Sequence, residues 1–150
     1  MSELPDLPRT WRPLGPRIAG AVGGGALVAI LAMLWISFDE NTKQAVTPFQ
    51  RGTAVLMFGL GLACLHALAR CRVTATEDAL VVVNGYRSRR LEWPQVIAIR
   101  LRPGQPWATL DLNDGSTVSV MALQGSDGAR ARQGVAALRA LLDRPYPPGH

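Results

Sequence analysis

The sequence has few of the side chains from which active sites and metal sites are usually built. Its 150 residues include two cysteines and two histidines. If Cys64 and Cys71 lie on one continuous helix, their backbones are about 10 Å apart, which is too far for a disulfide. No cysteine and histidine have the spacing of metal ligands, so we expect neither a metal nor another cofactor. Two thiols in a reducing compartment are the simpler interpretation.

The second half of the chain also lacks any grouping of side chains suited to catalysis. Beyond Cys71 the only histidine is the last residue, His150. The carboxylates fall mostly in predicted turns, and no Ser/His, Cys/His or paired-acid arrangement is visible. The sequence therefore predicts a protein that is not an enzyme.

Acidic residues are few as well, which leaves a net charge of +5 that is carried almost entirely by arginine. A nucleic-acid-binding surface would combine a basic stripe with aromatic side chains that stack on bases. The aromatic residues here are 6% of the chain and fall at predicted strand or membrane positions. We expect no nucleic-acid partner, and we attribute the excess arginine to a membrane surface and to orientation signals.

Two long uncharged runs dominate the first half of the chain. Residues 18–38 carry no charge, and residues 52–69 have His66 as their only ionisable side chain. As helices these runs would be about 31 and 27 Å long, close to the roughly 30 Å hydrocarbon core of a bilayer. They predict two transmembrane helices in a lipid bilayer. A signal peptide is the less favoured alternative for the first run, because the apolar region of a cleaved signal usually spans about 7–15 residues.

Basic residues in the flanks predict how these helices are oriented. Three arginines precede the first helix, and Arg70 and Arg72 follow the second, whereas residues 39–51 carry two basic residues beside two acidic ones. Basic residues accumulate on the cytoplasmic side of membrane proteins. We therefore expect a cytoplasmic N-terminal segment at 1–17, an external loop at 39–51, and both termini in the cytoplasm.

Small residues recur four positions apart in both runs, and such pairs let helix backbones approach closely. They predict packing between the two helices of one hairpin, which the short loop favours, or alternatively a homodimer. His66 has no acidic partner in either run, so we expect it to meet lipid headgroups. The predicted packing residues are Gly20, Gly24, Gly59 and Ala63.

From Arg72 onward the apolar pattern changes to a period of two. Six short segments of this kind, spaced by about 8–12 residues, are typical of an antiparallel sandwich or barrel. Asn84-Gly85 is a strong hairpin signal. Leu110 and Val118 share a face if a three-residue turn separates their strands with Gly115 in the left-handed conformation.

One amphipathic helix is predicted after the strands, with Ser126-Asp127 offering a cap at its N-terminus. We expect it to cover sheet edges that would otherwise be open to aggregation. Residues 145–150 predict a disordered, proline-rich tail. The apolar stripe of the helix consists of Ala131, Val135, Leu138 and Leu142.

Several segments that specify turns and core positions carry a family resemblance. They are Arg72–Leu80, Asn84-Gly85, Leu91–Val96, Arg102–Gly104 with Trp107, and Asp114-Gly115. In these residues the chain resembles the bacterial PH-like domain membrane proteins, in particular the actinobacterial group described as low-molecular-weight protein antigen 6. The resemblance implies a recognition module at residues 72–144, without known shared chemistry. The expected fold is a membrane α-helical hairpin followed by an α+β module, a small antiparallel PH-like sandwich or barrel of about six strands capped by a C-terminal α-helix.

Two functions suit such a protein at the inner face of the cytoplasmic membrane. The first is a non-catalytic interaction module for an unknown membrane or cytoplasmic protein, since aromatic and arginine side chains dominate interface hot spots. The alternative is binding of anionic lipid headgroups by an arginine-rich face, on which alternation groups Arg90, Arg100 and Arg102. A merely solvated basic face is the simplest interpretation of these arginines. The candidate residues for partner or lipid binding are Arg87, Arg89, Arg90, Arg100, Arg102 and Trp107.

Overall fold

The computed structural model describes residues 4–144, which form seven β-strands and four α-helices. The predicted tail at 145–150 lies outside the described residues. The helices are α1 (Gly15–Ser37), α2 (Glu40–Ala45), α3 (Pro48–Arg70) and α4 (Ala129–Leu142). The strands are β1 (Arg9–Trp11), β2 (Arg72–Ala75), β3 (Ala79–Asn84), β4 (Arg87–Glu92), β5 (Val96–Arg100), β6 (Trp107–Leu112) and β7 (Thr117–Gln124).

The strands form two antiparallel sheets that pack as a sandwich. One sheet has the order β1-β2-β3-β4 and the other β5-β6-β7, and α4 packs against β5 and β7. The predicted fold class is confirmed, because two long apolar helices accompany an antiparallel sandwich with a C-terminal helix.

The first strand is an addition to the six that the sequence predicts. Arg9 pairs with Ala75 and Trp11 with Val73, so β1 extends the sheet beside β2. Three residues are too few to show an alternating pattern, and they lie before the first apolar run rather than after the second. The consequence is topological, because the paired helices are inserted between two neighbouring strands of one sheet.

The two long helices begin slightly before the uncharged runs and are long and apolar enough to cross a membrane. Proline stands in the first turn of each, at Pro16 and Pro48, where the missing amide hydrogen has no cost. Thr47 and Gln50 form a reciprocal capping box at the start of α3. Between the long helices, part of the predicted external loop folds as the short helix α2.

The core of the sandwich lies between the two sheets and α4. Its largest fully buried side chains include Leu80, Ile99, Leu110 and Leu138, each of which contributes about 1.5–3 kcal/mol by burial. Leu110 pairs with Val118 as the register argument predicts, and Gly115 has φ of +82°. Gly115 therefore adopts the left-handed conformation that is expected for the turn between β6 and β7.

Side chains from outside the three-stranded sheet occupy its two edges. Arg139 of α4 donates from Nε to the carbonyl of Ile99 in β5, at 3.1 Å. At the other edge, the Asn84 amide donates to the Ser119 carbonyl at 2.6 Å and accepts from the Met121 amide at 3.1 Å. Burying backbone groups at sheet edges in this way discourages pairing with another chain.

Candidate functional site

The three arginines predicted on the second hairpin lie on β4 at one edge of the four-stranded sheet. Arg87, Arg89 and Arg90 are all exposed, as is Ser88 between them. Exposure of consecutive residues means that both faces of this strand are open to solvent. None of the three lies within 4 Å of a carboxylate in the part of the chain that the structure describes. The edge therefore carries three arginines without an ion pair among the described residues, although the charge of Arg89 helps to lower the pKa of Asp114.

The backbone of β4 is also open along its outer side. Within residues 4–144 the strand pairs with β3 alone. Because the turn Gly85-Tyr86 has two residues, Asn84 and Arg87 on either side of it form a hydrogen-bonded pair. Along an antiparallel ladder such pairs alternate with pairs that are not hydrogen-bonded to each other, so Ser88 and Arg90 belong to the second kind. The amides and carbonyls of Ser88 and Arg90 consequently face outward, where a further strand would bind.

The other predicted site residues belong to the second sheet. Arg100 lies on β5, so the expected common face with Arg90 would have to extend across two sheets. The Nε of Arg100 lies 2.7 Å from Oδ2 of Asp111. This oxygen makes no aligned hydrogen bond, so the contact is one of charge. The charge of Arg100 is thus largely matched within the module.

Arg102 lies in the loop between β5 and β6, which borders an open cleft of about 380 Å³. Arg132 of α4 also lines this cleft. The loop is held by a hydrogen bond from the Arg102 amide to the Gln105 side chain, at 3.1 Å. Trp107 begins β6 directly after this loop and is half-buried. The cleft is therefore lined by two arginines, one from the β5–β6 loop and one from α4.

Asp127 joins the module to the first long helix. Its carboxylate accepts hydrogen bonds from the amides of Leu14 and Gly15, at 3.1 and 3.0 Å, and so satisfies the N-terminus of α1. The expectation that Ser126-Asp127 caps the following helix is wrong, since Gly128 is the N-cap of α4 and no side chain bonds there. A local pattern could not reveal this role, because the bonded residues are more than 100 positions apart.

The turn between β3 and β4 joins the module to the end of the second long helix. Tyr86 donates from its hydroxyl to the Ala63 carbonyl at 3.1 Å, and the same hydroxyl lies 3.0 Å from Nδ1 of His66. The Gly85 carbonyl accepts from Nε of Arg70 at 3.3 Å. Gly85 has φ of +62°, and a Cβ there would lie 3.3 Å from the Cβ of Ala67. Glycine thus permits both the turn and the close approach.

The four predicted packing residues occupy different surroundings. A Cβ at Gly20 or Gly24 would lie 3.1 or 2.9 Å from a methyl group of Leu65 on α3, so these glycines face the partner helix of the same chain. Gly59 has open space around its Cα. Ala63 presents its carbonyl to Tyr86. A packing role within the hairpin is supported by geometry at the first two positions.

Ionisable groups outside the arginines offer little chemistry. The described residues contain no group of three or more His, Cys, Asp or Glu side chains that could hold a metal ion. A hydrogen bond from the Ser116 hydroxyl, aided by its amide, lowers the pKa of Asp114. The Thr42 hydroxyl lowers the pKa of Asp39 in the same way. Both carboxylates are exposed turn or cap residues, where such bonds are ordinary.

A sandwich of four and three antiparallel strands with a C-terminal helix defines a PH-like module. Residues 70–141 match the family model described as bacterial PH domain, and over this segment the chain belongs to that family. It is similar to Uncharacterized protein Rv1417 of Mycobacterium tuberculosis and Uncharacterized protein Mb1452 of Mycobacterium bovis. Each is 35% identical over 102 residues, which are 66% of this chain and 66% of the relative. No solved structure matches the chain.

Proposed function

We propose that this protein is a non-catalytic protein-interaction module anchored at the inner face of the cytoplasmic membrane. The observation that carries the anchoring is the pairing of β1, before the helices, with β2, after them. Since these strands share a sheet, both flanks of the inserted helices lie on one side of any membrane that the helices cross. The module is then held against the bilayer rather than tethered by a flexible linker.

The distribution of charge supports a cytoplasmic position for the module. The end of the hairpin that adjoins the module carries Arg12 before α1 and Arg17 in its first turn, and it carries Arg70 at the end of α3 and Arg72 after it. The other end carries two basic residues, Lys43 and Arg51, and the carboxylate of Glu40 lies 3.1 Å from Nζ of Lys43. This asymmetry is the one expected when the module side faces the cytoplasm.

Extraction and labelling test the anchoring and the orientation. Carbonate at high pH should leave the full-length chain in the membrane pellet, and its release would refute the anchor. In intact cells a membrane-impermeant maleimide should label Asn41→Cys but not Ser116→Cys, which should react only after permeabilisation. The parent chain, with its native Cys64 and Cys71, provides the background. The reverse labelling pattern would place the module outside.

The interaction surface proposed is the open edge of β4, which offers outward-facing backbone groups and three unpaired arginines. An extended acidic segment of a partner would pair with the strand while its carboxylates meet the guanidinium groups, as in other cases of strand addition. Arginine on an edge strand also discourages pairing with copies of the same basic chain. The charge of the edge thus selects against self-association and in favour of an acidic partner.

Site-specific photo-crosslinking in cells tests this surface. A photoreactive residue at Ser88 should give an adduct of one defined mass, and Gln133, exposed on α4, is the matched control position. Replacing Arg87, Arg89 and Arg90 by serine should suppress the Ser88 adduct, because the charge contacts are lost. Equal adducts at both positions, or an adduct that survives the triple replacement, would contradict the proposal.

Binding of anionic lipid headgroups by the same arginines is the second candidate. It is favoured by the position of Arg87, which directly follows the turn that contacts α3. Each arginine near an anionic surface contributes about 1 kcal/mol, but Arg90 is about 10 Å farther along the strand, roughly a Debye length. The expected contribution therefore falls from Arg87 to Arg90.

Arginine modification in nanodiscs separates this candidate from the first. Phenylglyoxal should modify Arg87 more slowly in discs that contain phosphatidylserine than in discs of phosphatidylcholine alone, with a smaller difference at Arg90. Equal rates in both kinds of disc would exclude lipid contact and leave the protein partner as the role of this edge.

A further inference from the structure

A groove of about 350 Å³ lies between α1 and α3 near the module. On α1 its wall includes three glycines, and on α3 it includes Leu65 and Ala69. Leu65 packs against Gly20 and Gly24, so the helices touch at the floor of the groove. Gly25 also lines the groove, but a Cβ there would meet no atom within 4 Å. The groove is therefore closed where Leu65 contacts Gly20 and Gly24, and it is open beside Gly25.

The polar groups of the groove lie at its module-facing end. Arg17 and His66 are the only ionisable residues among those that line it, and neither is acidic. Arg17 forms no ion pair within residues 4–144. The hydroxyl of Tyr86 donates to Ala63, so the contact with Nδ1 of His66 uses that nitrogen as the donor. This hydrogen bond holds the imidazole ring in place and does not involve Nε2.

The rest of the groove is apolar and has the length of one membrane leaflet. It extends along α1 from Arg17 to Val28, a distance of about 16 Å at the helical rise. Half of the hydrocarbon core is about 15 Å thick. A cationic end joined to an apolar channel of this length matches an amphiphile with an anionic head.

We propose that this groove binds one anionic phospholipid of the module-side leaflet, with its phosphate at Arg17 and an acyl chain along the glycine wall. The proposal rests on the membrane anchoring proposed above and adds a site separate from the β4 arginines. A free phosphate ion would leave the apolar channel unfilled. A long helix of a second copy would bring no acidic residue to Arg17, because residues 15–37 and 48–70 contain none.

Two replacements test the site, each with a matched control. Arg17→Gln removes the charge, and Arg12→Gln removes a neighbouring exposed charge that does not line the groove. Gly25→Leu fills the channel, and Gly23→Leu adds the same side chain two residues away, at a glycine that is equally open but does not line it. Full-length chains are placed in nanodiscs of equal phosphatidylglycerol and phosphatidylcholine, and the lipids that stay bound after release are identified by native mass spectrometry.

Wild-type protein should retain phosphatidylglycerol in preference to phosphatidylcholine. Arg17→Gln should reduce this preference about fivefold, which corresponds to the roughly 1 kcal/mol of one arginine at an anionic headgroup. Gly25→Leu should abolish lipid retention, and both controls should behave as wild type. Each protein is also checked for resistance to carbonate extraction.

Other outcomes would overturn the proposal in distinguishable ways. If all chains resist carbonate but keep the same lipid preference, the groove site is wrong while the anchoring stands. Extraction of the wild-type chain by carbonate would refute both. A wild-type dimer without lipid that Gly25→Leu converts to a monomer would show that a second copy occupies the groove.

Discussion

The sandwich and the helical hairpin use similar apolar side chains in opposite ways. In the sandwich, Leu80, Ile99, Leu110 and Leu138 are less than 2% exposed. In the hairpin, neither α1 nor α3 contains a buried residue. The sandwich thus removes its apolar surface from water by itself, whereas the hairpin leaves its apolar surface uncovered. This difference is the one expected between a water-exposed module and helices that are able to cross a membrane.

The two regions nevertheless meet through polar contacts. Asp127 bonds the N-terminus of α1, and the Gly85-Tyr86 turn bonds residues near the end of α3. Directional hydrogen bonds at the start of α1 and near the end of α3 fix the position of the hairpin relative to the sandwich more specifically than apolar contact alone would. Replacements in matched pairs, one per region, can test each part of this comparison.

The largest expected effect comes from truncating the sandwich core. Leu110→Ala should lower the free energy of unfolding by about 2–5 kcal/mol, because a fully buried side chain leaves a cavity. Leu31→Ala in α1 removes the same atoms from a surface-exposed position and should change it much less. Urea unfolding in detergent micelles, followed by tryptophan fluorescence, measures both. Equal losses would mean that the hairpin also depends on an internal core.

A smaller effect is expected where the two regions use glycine differently. Gly115→Val should cost about 1–3 kcal/mol, because a β-branched residue is strained at positive φ. Gly61 lies in helical backbone with open space around it, so Gly61→Val should be close to neutral. The same unfolding experiment applies. A neutral Gly115→Val would show that the β6–β7 turn can change its conformation.

Loss of the contact between the regions should have a local effect. Asp127→Ala removes the acceptor for two amides, and caps of this kind contribute about 1 kcal/mol. The amides of Leu14 and Gly15 should then exchange hydrogen about fivefold faster, as measured by mass spectrometry or NMR. Asp143→Ala, an exposed acidic residue after α4, is the control. Unchanged exchange at the start of α1 would show that Asp127 does not hold the hairpin.

The smallest effect concerns two carboxylates, one from each region. Because hydroxyl hydrogen bonds lower the pKa of Asp114 and of Asp39, Ser116→Ala and Thr42→Ala should each raise the pKa of the partner carboxyl. A folded pKa below the unfolded one stabilises the fold above the ordinary carboxyl pKa of about 3.9, and this stabilisation is lost as the pH falls through the lowered value. Carbon-13 NMR titration of the two carboxyls measures the shifts. An unchanged pKa would remove the hydroxyl as its cause.

Much of the fold could be predicted because its signals are local. The length of the two uncharged runs locates both long helices. Alternating apolar residues locate the strands, and Asn84-Gly85 and Gly115 locate turns; the number of residues in a turn then determines which side chains share a face of the sheet. The expected register of Leu110 with Val118 is confirmed for this reason. These features depend on residues that are close together in sequence.

The rest depends on contacts between distant residues. β1 has only three residues, and it is recognisable as a strand only through its pairing with β2, which follows both long helices in the sequence. Asp127 resembles a cap for the helix beside it, but its carboxylate reaches the amides of α1 instead. Sequence alternation groups Arg90 with Arg100, although the strands that carry them belong to separate sheets. No local pattern encodes such pairings.

The insertion of the helices between β1 and β2 has a consequence for synthesis. The ribosome releases β1 before either long helix, whereas its partner strand emerges only after both. Trp11 packs against Gly134 of α4, which is synthesised later still, after all seven strands. The four-stranded sheet therefore cannot be completed until both long helices have been synthesised, so folding of the sandwich follows synthesis of the whole hairpin.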